Sequence, residues 1–202
     1  DWRLRRRRRP DRHAWQWQCP FNLGIGSWEL GVGNYRPVLF SLRAVRDAHV
    51  ISGARYVHTN LIARDWRRLA RFYQDVFGCV PVPPERNLSG AEMDAGTGVP
   101  GARLRGMHLR LPGAGPTGPT LEIFEYSEPA ADAPRVANRP GFAHIAFAVD
   151  SVADARDQVL AHGGAPVGEV VTVAVSTTAR VTWCYVRDPE GNIVELQARS
   201  EA

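Results

Sequence analysis

Two histidines and two glutamates stand out because they recur at matching places in a chain that repeats itself. His58 is the third residue of Tyr56-Val57-His58 and His144 the third of Phe142-Ala143-His144, and each opens an alternating run that leads to an aspartate. Glu122 sits in Leu-Glu-Ile-Phe and Glu195 in Val-Glu-Leu. A carboxylate among apolar neighbours is costly to bury without a partner. A lone strand histidine is ordinarily a hydrogen-bonded structural residue, but one imidazole and one carboxylate supplied twice, in register with a repeat, point to a shared cation. Two imidazoles and two carboxylates suit a single divalent ion (nickel, cobalt, zinc, manganese or magnesium) and leave open positions on an octahedral centre for a substrate. His108 and His162 read as structural or surface residues, and Glu125, on the strand face opposite Glu122, as solvent-facing.

The elements that must carry these side chains are legible from Gly53 onward. Tyr56 to Ala63 alternates as a strand. Asp65 is placed to cap a helix, and Trp66, Leu69, Phe72, Tyr73, Val76 and Phe77 recur at helical spacing up to Gly78. Residues 80–105, rich in Pro, Gly and Asn, read as a long irregular excursion with one short strand. Met107 to Leu111 and Thr120 to Tyr126 read as a hairpin around a Pro/Gly-rich turn. After an aperiodic linker, 128–140, the pattern returns. Phe142 to Val149 is a strand, Asp150 or Ser151 a cap, and Val152, Ala155, Val159 and Leu160 a short helix that stops at Gly163-Gly164. Strands follow over Val170 to Val175, Val181 to Val186 and Asn192 to Gln197.

This is a duplicated βαβββ unit. The expected fold class is α+β, with two repeats (54–127 and 141–199) forming a curled mixed sheet around a metal cleft. Strand alternation places His58, Asn60 and Ile62 on one face, away from the face a helix can cover, and treats His144, Ala146 and Ala148 alike. Two such sheets curling together would bring the four donors into one cleft.

Residues 1–53 stand apart. They hold ten of the arginines against four acids, whereas 54–202 hold fifteen against seventeen, so the net charge of +4 belongs to the leader. The run Arg5 to Arg9 reads as a solvated tail rather than a nucleic-acid or membrane patch. Pro10, Asp11, Arg12 and His13 interrupt the apolar stretch that a twin-arginine export signal requires. The segment, which opens on Asp1 and carries Trp2, Trp15, Trp17 and Trp28 without periodicity, is expected to be a disordered or non-native leader. No apolar run approaches the roughly 18 residues of a membrane span. Cys19, Cys79 and Cys184 show neither disulfide-framework nor zinc-type spacing, so a reducing, cytoplasmic setting is expected.

Two stretches, Gly141-Phe-Ala-His-Ile-Ala-Phe-Ala-Val-Asp150 and Arg187-Asp-Pro-Glu-Gly-Asn-Ile-Val-Glu-Leu196, resemble the opening and closing strands of the second repeat in the vicinal oxygen chelate superfamily. That superfamily includes glyoxalase I, methylmalonyl-CoA epimerase, extradiol dioxygenases, and fosfomycin and bleomycin resistance proteins. The resemblance covers 55–199 and implies a metal held by His58, Glu122, His144 and Glu195. It also implies a role in proton transfer for Glu195, with Glu122 as the second candidate. The expected activity is that of a glyoxalase I-like lyase or acyl-CoA epimerase-like isomerase acting on a small molecule, with a homodimer possible and no nucleic-acid or membrane partner. Two other readings stay open. An extradiol dioxygenase would need only His58, His144 and Glu195 on iron, and Glu122 would crowd the positions that oxygen needs. A non-catalytic drug-binding protein has no need of facing carboxylates.

Overall fold

Helix α1, Trp66–Phe77, shows why the chain folds as it does around the site. Asp65 caps it, its Oδ1 accepting the Arg68 backbone N–H at 3.0 Å. Gly78 ends it in the left-handed region at φ 68°, where a side chain would be strained, and donates its N–H to the Gln74 carbonyl. The stripe Trp66, Leu69, Ala70, Phe72 and Tyr73 is buried, as the helical spacing predicts. The computed structural model describes residues 51–201, and the expectations for the leader lie outside them, apart from its last three residues.

The first repeat is β1 (His58–Ile62), α1, β2 (Val80–Ser89), α2 (Ala91–Thr97), β3 (Arg103–Arg110) and β4 (Thr120–Tyr126). The second is β5 (His144–Ala148), α3 (Val152–Ala161), β6 (Ala165–Pro166), β7 (Val171–Ala174), β8 (Ala179–Arg187) and β9 (Ile193–Glu201). The chain is α+β, with a four-stranded mixed sheet in the order β1-β4-β3-β2 and a second mixed sheet in the order β5-β9-β8-β6, with β7 also on β8. In both, the first strand runs parallel to the last and the remaining pairs are antiparallel. Ser151 rather than Asp150 caps α3, its Oγ accepting from the Asp154 N–H.

The stretch 80–105 departs from expectation. It holds the ten-residue strand β2 and the short helix α2 rather than an irregular excursion. Prolines at 81, 83 and 84 hid the strand. They are tolerated because β2 is an edge strand and its pairing with β3 shifts register between Val82 and Arg86.

The main core lies between the two sheets' helix-covered faces and is shared by both repeats. Leu61, Leu109, Leu121 and Ile123 come from the first sheet, and Phe147, Cys184, Val194 and Leu196 from the second. Phe77 and Phe147 stack across the repeats with ring centroids 4.1 Å apart, an arrangement worth about 0.5–1.5 kcal/mol beyond its buried area. The Tyr73 hydroxyl donates to Asp188 Oδ2 at 2.9 Å, tying α1 of one repeat to the β8–β9 turn of the other. A smaller core of Ala102, Leu104 and Phe124, with Met93 of α2 against it, covers the opposite face of the first sheet. Gly106 makes that packing possible, since a Cβ there would lie 2.0 Å from the Ile123 carbonyl oxygen and 2.5 Å from the Phe124 ring.

Candidate metal centre

Backbone register sets the site before any side chain is considered. In the first sheet Asn60 of β1 lies opposite Glu122 of β4, and His58 is two residues upstream on the same face. In the second, Ala146 of β5 lies opposite Glu195 of β9, and His144 is two residues upstream. The duplication inferred from sequence is therefore a duplication of register. Each histidine reaches its own sheet's glutamate: His58 Nε2 lies 3.4 Å from Glu122 Oε2, and His144 Nε2 lies 3.1 Å from Glu195 Oε2. The burial of β1 follows the alternation, with Leu61 buried on the helix side while His58 and Asn60 are exposed.

The third strand of each repeat adds a residue facing the glutamate. His108 of β3 is opposite Glu122, and Tyr185 of β8 is opposite Glu195. His108 Nε2 lies 3.0 Å from Glu122 Oε1, and its Nδ1 lies 3.1 Å from Thr120 Oγ1. Burial pulls the His108 pKa down, with the nearby Arg86 and His58 acting the same way against Glu122. The ring is thus neutral at physiological pH, and the contacts assign its proton to Nε2, donated to the carboxylate, while Nδ1 accepts from the threonine hydroxyl. Asn60 Nδ2 donates to Glu122 Oε2 at 2.6 Å. Tyr185 packs against the His144 ring at 5.0 Å, and burial, reinforced by Glu195, raises its pKa.

His108, read from sequence as structural or surface, thus belongs to the cluster. Its presence was readable only through the β3–β4 pairing, because within Met107 to Leu111 it shares a face with Arg110 and nothing local marks it. Glu125 is not simply solvent-facing: it accepts from Arg105 at 2.6 Å and from the Trp66 backbone N–H at 3.3 Å, at the start of α1.

The structure brings His58 to Glu122 and His144 to Glu195, but it does not gather the four into one group. Among the described residues no three His, Cys, Asp or Glu side chains are arranged to hold a metal ion. The His144–Glu195 separation matches one edge of a coordination sphere, since adjacent ligands on an octahedral ion at about 2.1–2.2 Å lie about 3.0–3.1 Å apart, whereas the His58–Glu122 separation of 3.4 Å is longer than such an edge. The two sheets also share a cavity of about 320 Å³, lined by Asn60 and Ile62 from β1 and by His144 and Ile145 from β5. Arg135 and Arg139 of the 128–140 linker line the same cavity, as do Phe142 and Asn192, and among the described residues no carboxylate lines it.

Comparison with known proteins agrees with this architecture. Of the solved structures, a glyoxalase family protein from Bacillus cereus is 18% identical, with 74% of this chain and 99% of that one covered at a TM-score of 0.60. A glyoxylase/bleomycin resistance protein/dioxygenase domain from Frankia sp. is 20% identical over 74% and 98% of the two chains, at a TM-score of 0.47. The fosfomycin resistance protein FosX from Listeria monocytogenes, solved with Mn(II) and sulfate, is 18% identical over 74% and 93%, at 0.39. No curated protein matches the chain significantly. No described helix is long and apolar enough to cross a membrane. The family model that matches residues 55–196 spans both sheets and all the residues placed above, and the chain belongs to the Glyoxalase/Bleomycin resistance protein/Dioxygenase superfamily.

Proposed function

We propose that this protein is a divalent-metal-dependent lyase or isomerase of the glyoxalase I or acyl-CoA epimerase kind, removing a proton from the carbon next to a chelated carbonyl. The observation that carries the reading is the register: each sheet sets a histidine two residues before the position facing its glutamate, and each histidine reaches that glutamate, at 3.4 Å in the first sheet and 3.1 Å in the second. His58, Glu122, His144 and Glu195 are the residues that would hold the ion. A bound divalent ion supplies Lewis acidity to the carbonyl oxygen of a chelating substrate.

The side chains of the chain do the rest. A Glu195 carboxylate oxygen accepts the α-proton, the C–H electron pair stays with the substrate as an enolate, and the carboxyl returns the proton to a different position, the neighbouring carbon, which is the net change. Such general base assistance contributes about 10²–10⁴ in rate. Of the two arginines that line the cavity, Arg135 is already engaged by Asp132 and the Glu190 carbonyl, and Arg139 favours a substrate with a negative group. The cytoplasm is the proposed setting, in keeping with the free thiols of Cys79 and Cys184.

Exchange of a substrate α-proton in deuterated water, measured by NMR on 2-oxoaldehyde–thiol adducts and acyl-CoA thioesters, tests the reading. We expect exchange that a chelator abolishes and a redox-inert divalent ion restores, and that Glu195→Gln abolishes while still binding some metal. Full activity in Glu195→Gln would remove that residue from the mechanism. Catechol-dependent oxygen uptake requiring ferrous iron would replace the proposal with a dioxygenase, and ligand binding indifferent to chelator would replace it with a binding protein.

A further inference from the structure

The two sheets end on very different outer strands. In the first sheet the edge strand β2 is shielded. Prolines at 81, 83 and 84 remove backbone donors, its register shifts between Val82 and Arg86, and α2 packs Met93 over the adjoining face. The second sheet ends on β7, which pairs with β8 alone and has none of these devices. Residues 170–179 hold neither a charged residue nor a proline. No helix follows β7, and the chain turns straight back into β8. Val171, Val173 and Val175 therefore share one strand face and stand exposed on it, at 40%, 43% and 54%. That face also carries Trp183, which lies opposite Val171, and it is the counterpart of the face that α2 covers in the first sheet.

The backbone of β7 is open as well. Val175 donates its N–H to the Ala179 carbonyl at 3.0 Å, so alternation turns the backbone groups of Val171 and Val173 toward β8 and those of Thr172 and Ala174 outward. Among the described residues no strand pairs with that outer side. We propose that β7 is an interaction edge that takes the β7 of a second copy of this chain, antiparallel about a two-fold axis at Val173. Thr172 of each copy then exchanges backbone hydrogen bonds with Ala174 of the other. Val173 faces Val173 and Val171 faces Val175 across the junction, so the exposed valines of both copies form one covered stripe. Charge selects the antiparallel sense. Glu169 precedes the strand and Arg180 lies beside its far end, opposite Ala174. Both are exposed, and neither has an ion-pair partner among the described residues. Antiparallel pairing brings the Glu169 end of each copy to the Arg180 end of the other, whereas parallel pairing sets like charges together. Pairing β7 with β2 instead would lack the donors that the prolines remove and would leave an open, head-to-tail chain. The inference goes beyond the proposed reaction and does not rest on it.

Sedimentation velocity on the full chain tests the association. Wild type should be a concentration-dependent dimer in the micromolar range. Val173→Lys sets two ammonium groups together at the axis and should weaken the dimer about 100-fold or more, with an unchanged circular dichroism spectrum. Val80→Lys, at a comparably exposed site on β2, should leave the dimer intact. Oxidation in a Cys19→Ser background, with Cys79 and Cys184 buried, reads the register without relying on the lysine variant. Val173→Cys should give a disulfide-linked dimer, because a non-hydrogen-bonded antiparallel pair sets its Cα atoms about 4.5 Å apart, within disulfide reach. Ala174→Cys should not. A wild type that stays monomeric, or a dimer that survives Val173→Lys, would overturn the proposal. Assembly beyond the dimer would overturn the two-fold closure, and cross-linking through Ala174→Cys in place of Val173→Cys would overturn the register.

Discussion

Replacing Tyr73 by phenylalanine isolates a single hydroxyl at the junction of the two repeats. Tyr73 is fully buried, and its ring packs against Phe72, Phe77 and Phe147, contacts that phenylalanine retains. Only the bond to Asp188 is lost, and Asp188 is 2% exposed. Burial raises both pKa values, so the tyrosine stays protonated and donates. A hydrogen bond to a charged group is worth about 1.5–3 kcal/mol. Asp188 keeps the Glu190 and Asn192 backbone N–H groups and the Asn192 amide, which places the expected loss near the lower end, about 1.5–2 kcal/mol at neutral pH. For a domain of this size that lowers Tm by about 3–8 °C.

The loss is expected to depend on pH. Because the Asp188 pKa is raised on folding, its contribution to stability is fully present below the unfolded value and is lost as pH rises through the folded value. The Tyr73 bond lowers the Asp188 pKa, so its removal raises that pKa further and widens the window of loss. Urea unfolding at several pH values should show Tyr73→Phe and wild type converging in acid, where a protonated Asp188 gains little from the hydroxyl, and diverging toward neutrality. A difference below about 0.5 kcal/mol at neutral pH, or one unchanged by acid, would refute the account of a charged acceptor stabilised across the repeats.

Asp65→Ala removes the α1 cap and should cost about 1 kcal/mol in the same unfolding assay, with no change in metal affinity. The Cys79 thiol is buried and its pKa is pushed up to about 12, and burial raises that of Cys184 too. Both should resist iodoacetamide in the folded protein at mildly alkaline pH and react on unfolding, as read by peptide mass spectrometry; rapid labelling of native Cys79 would contradict its burial.

Most of the scaffold was readable in the residues because local rules and tertiary packing agree. The span of α1 follows from its cap, apolar stripe and stop glycine, and the histidine strands follow from strict alternation. Strand β2 was not readable, because its prolines argue against a strand unless its place at a sheet edge is known. The repeat made His58, Glu122, His144 and Glu195 visible as candidates. His108 was not, since its significance comes from lying across a sheet from Glu122, and cross-strand pairing is not encoded in either strand alone. Arg135 and Arg139 were hidden likewise in an aperiodic linker, whose course over β1 and the β8–β9 turn is fixed by ion pairs from Arg64 to Asp132 and Glu190.

The aromatic stack of Phe77 on Phe147 and the hydroxyl that reaches Asp188 join parts encoded 70 or more residues apart. A polypeptide ending inside the linker would leave Phe77, Tyr73 and their neighbours wet on the side the other half now covers. Its least costly remedy would be to recruit a sibling molecule onto that surface, so severing the chain at the linker should yield fragments that need each other to remain folded.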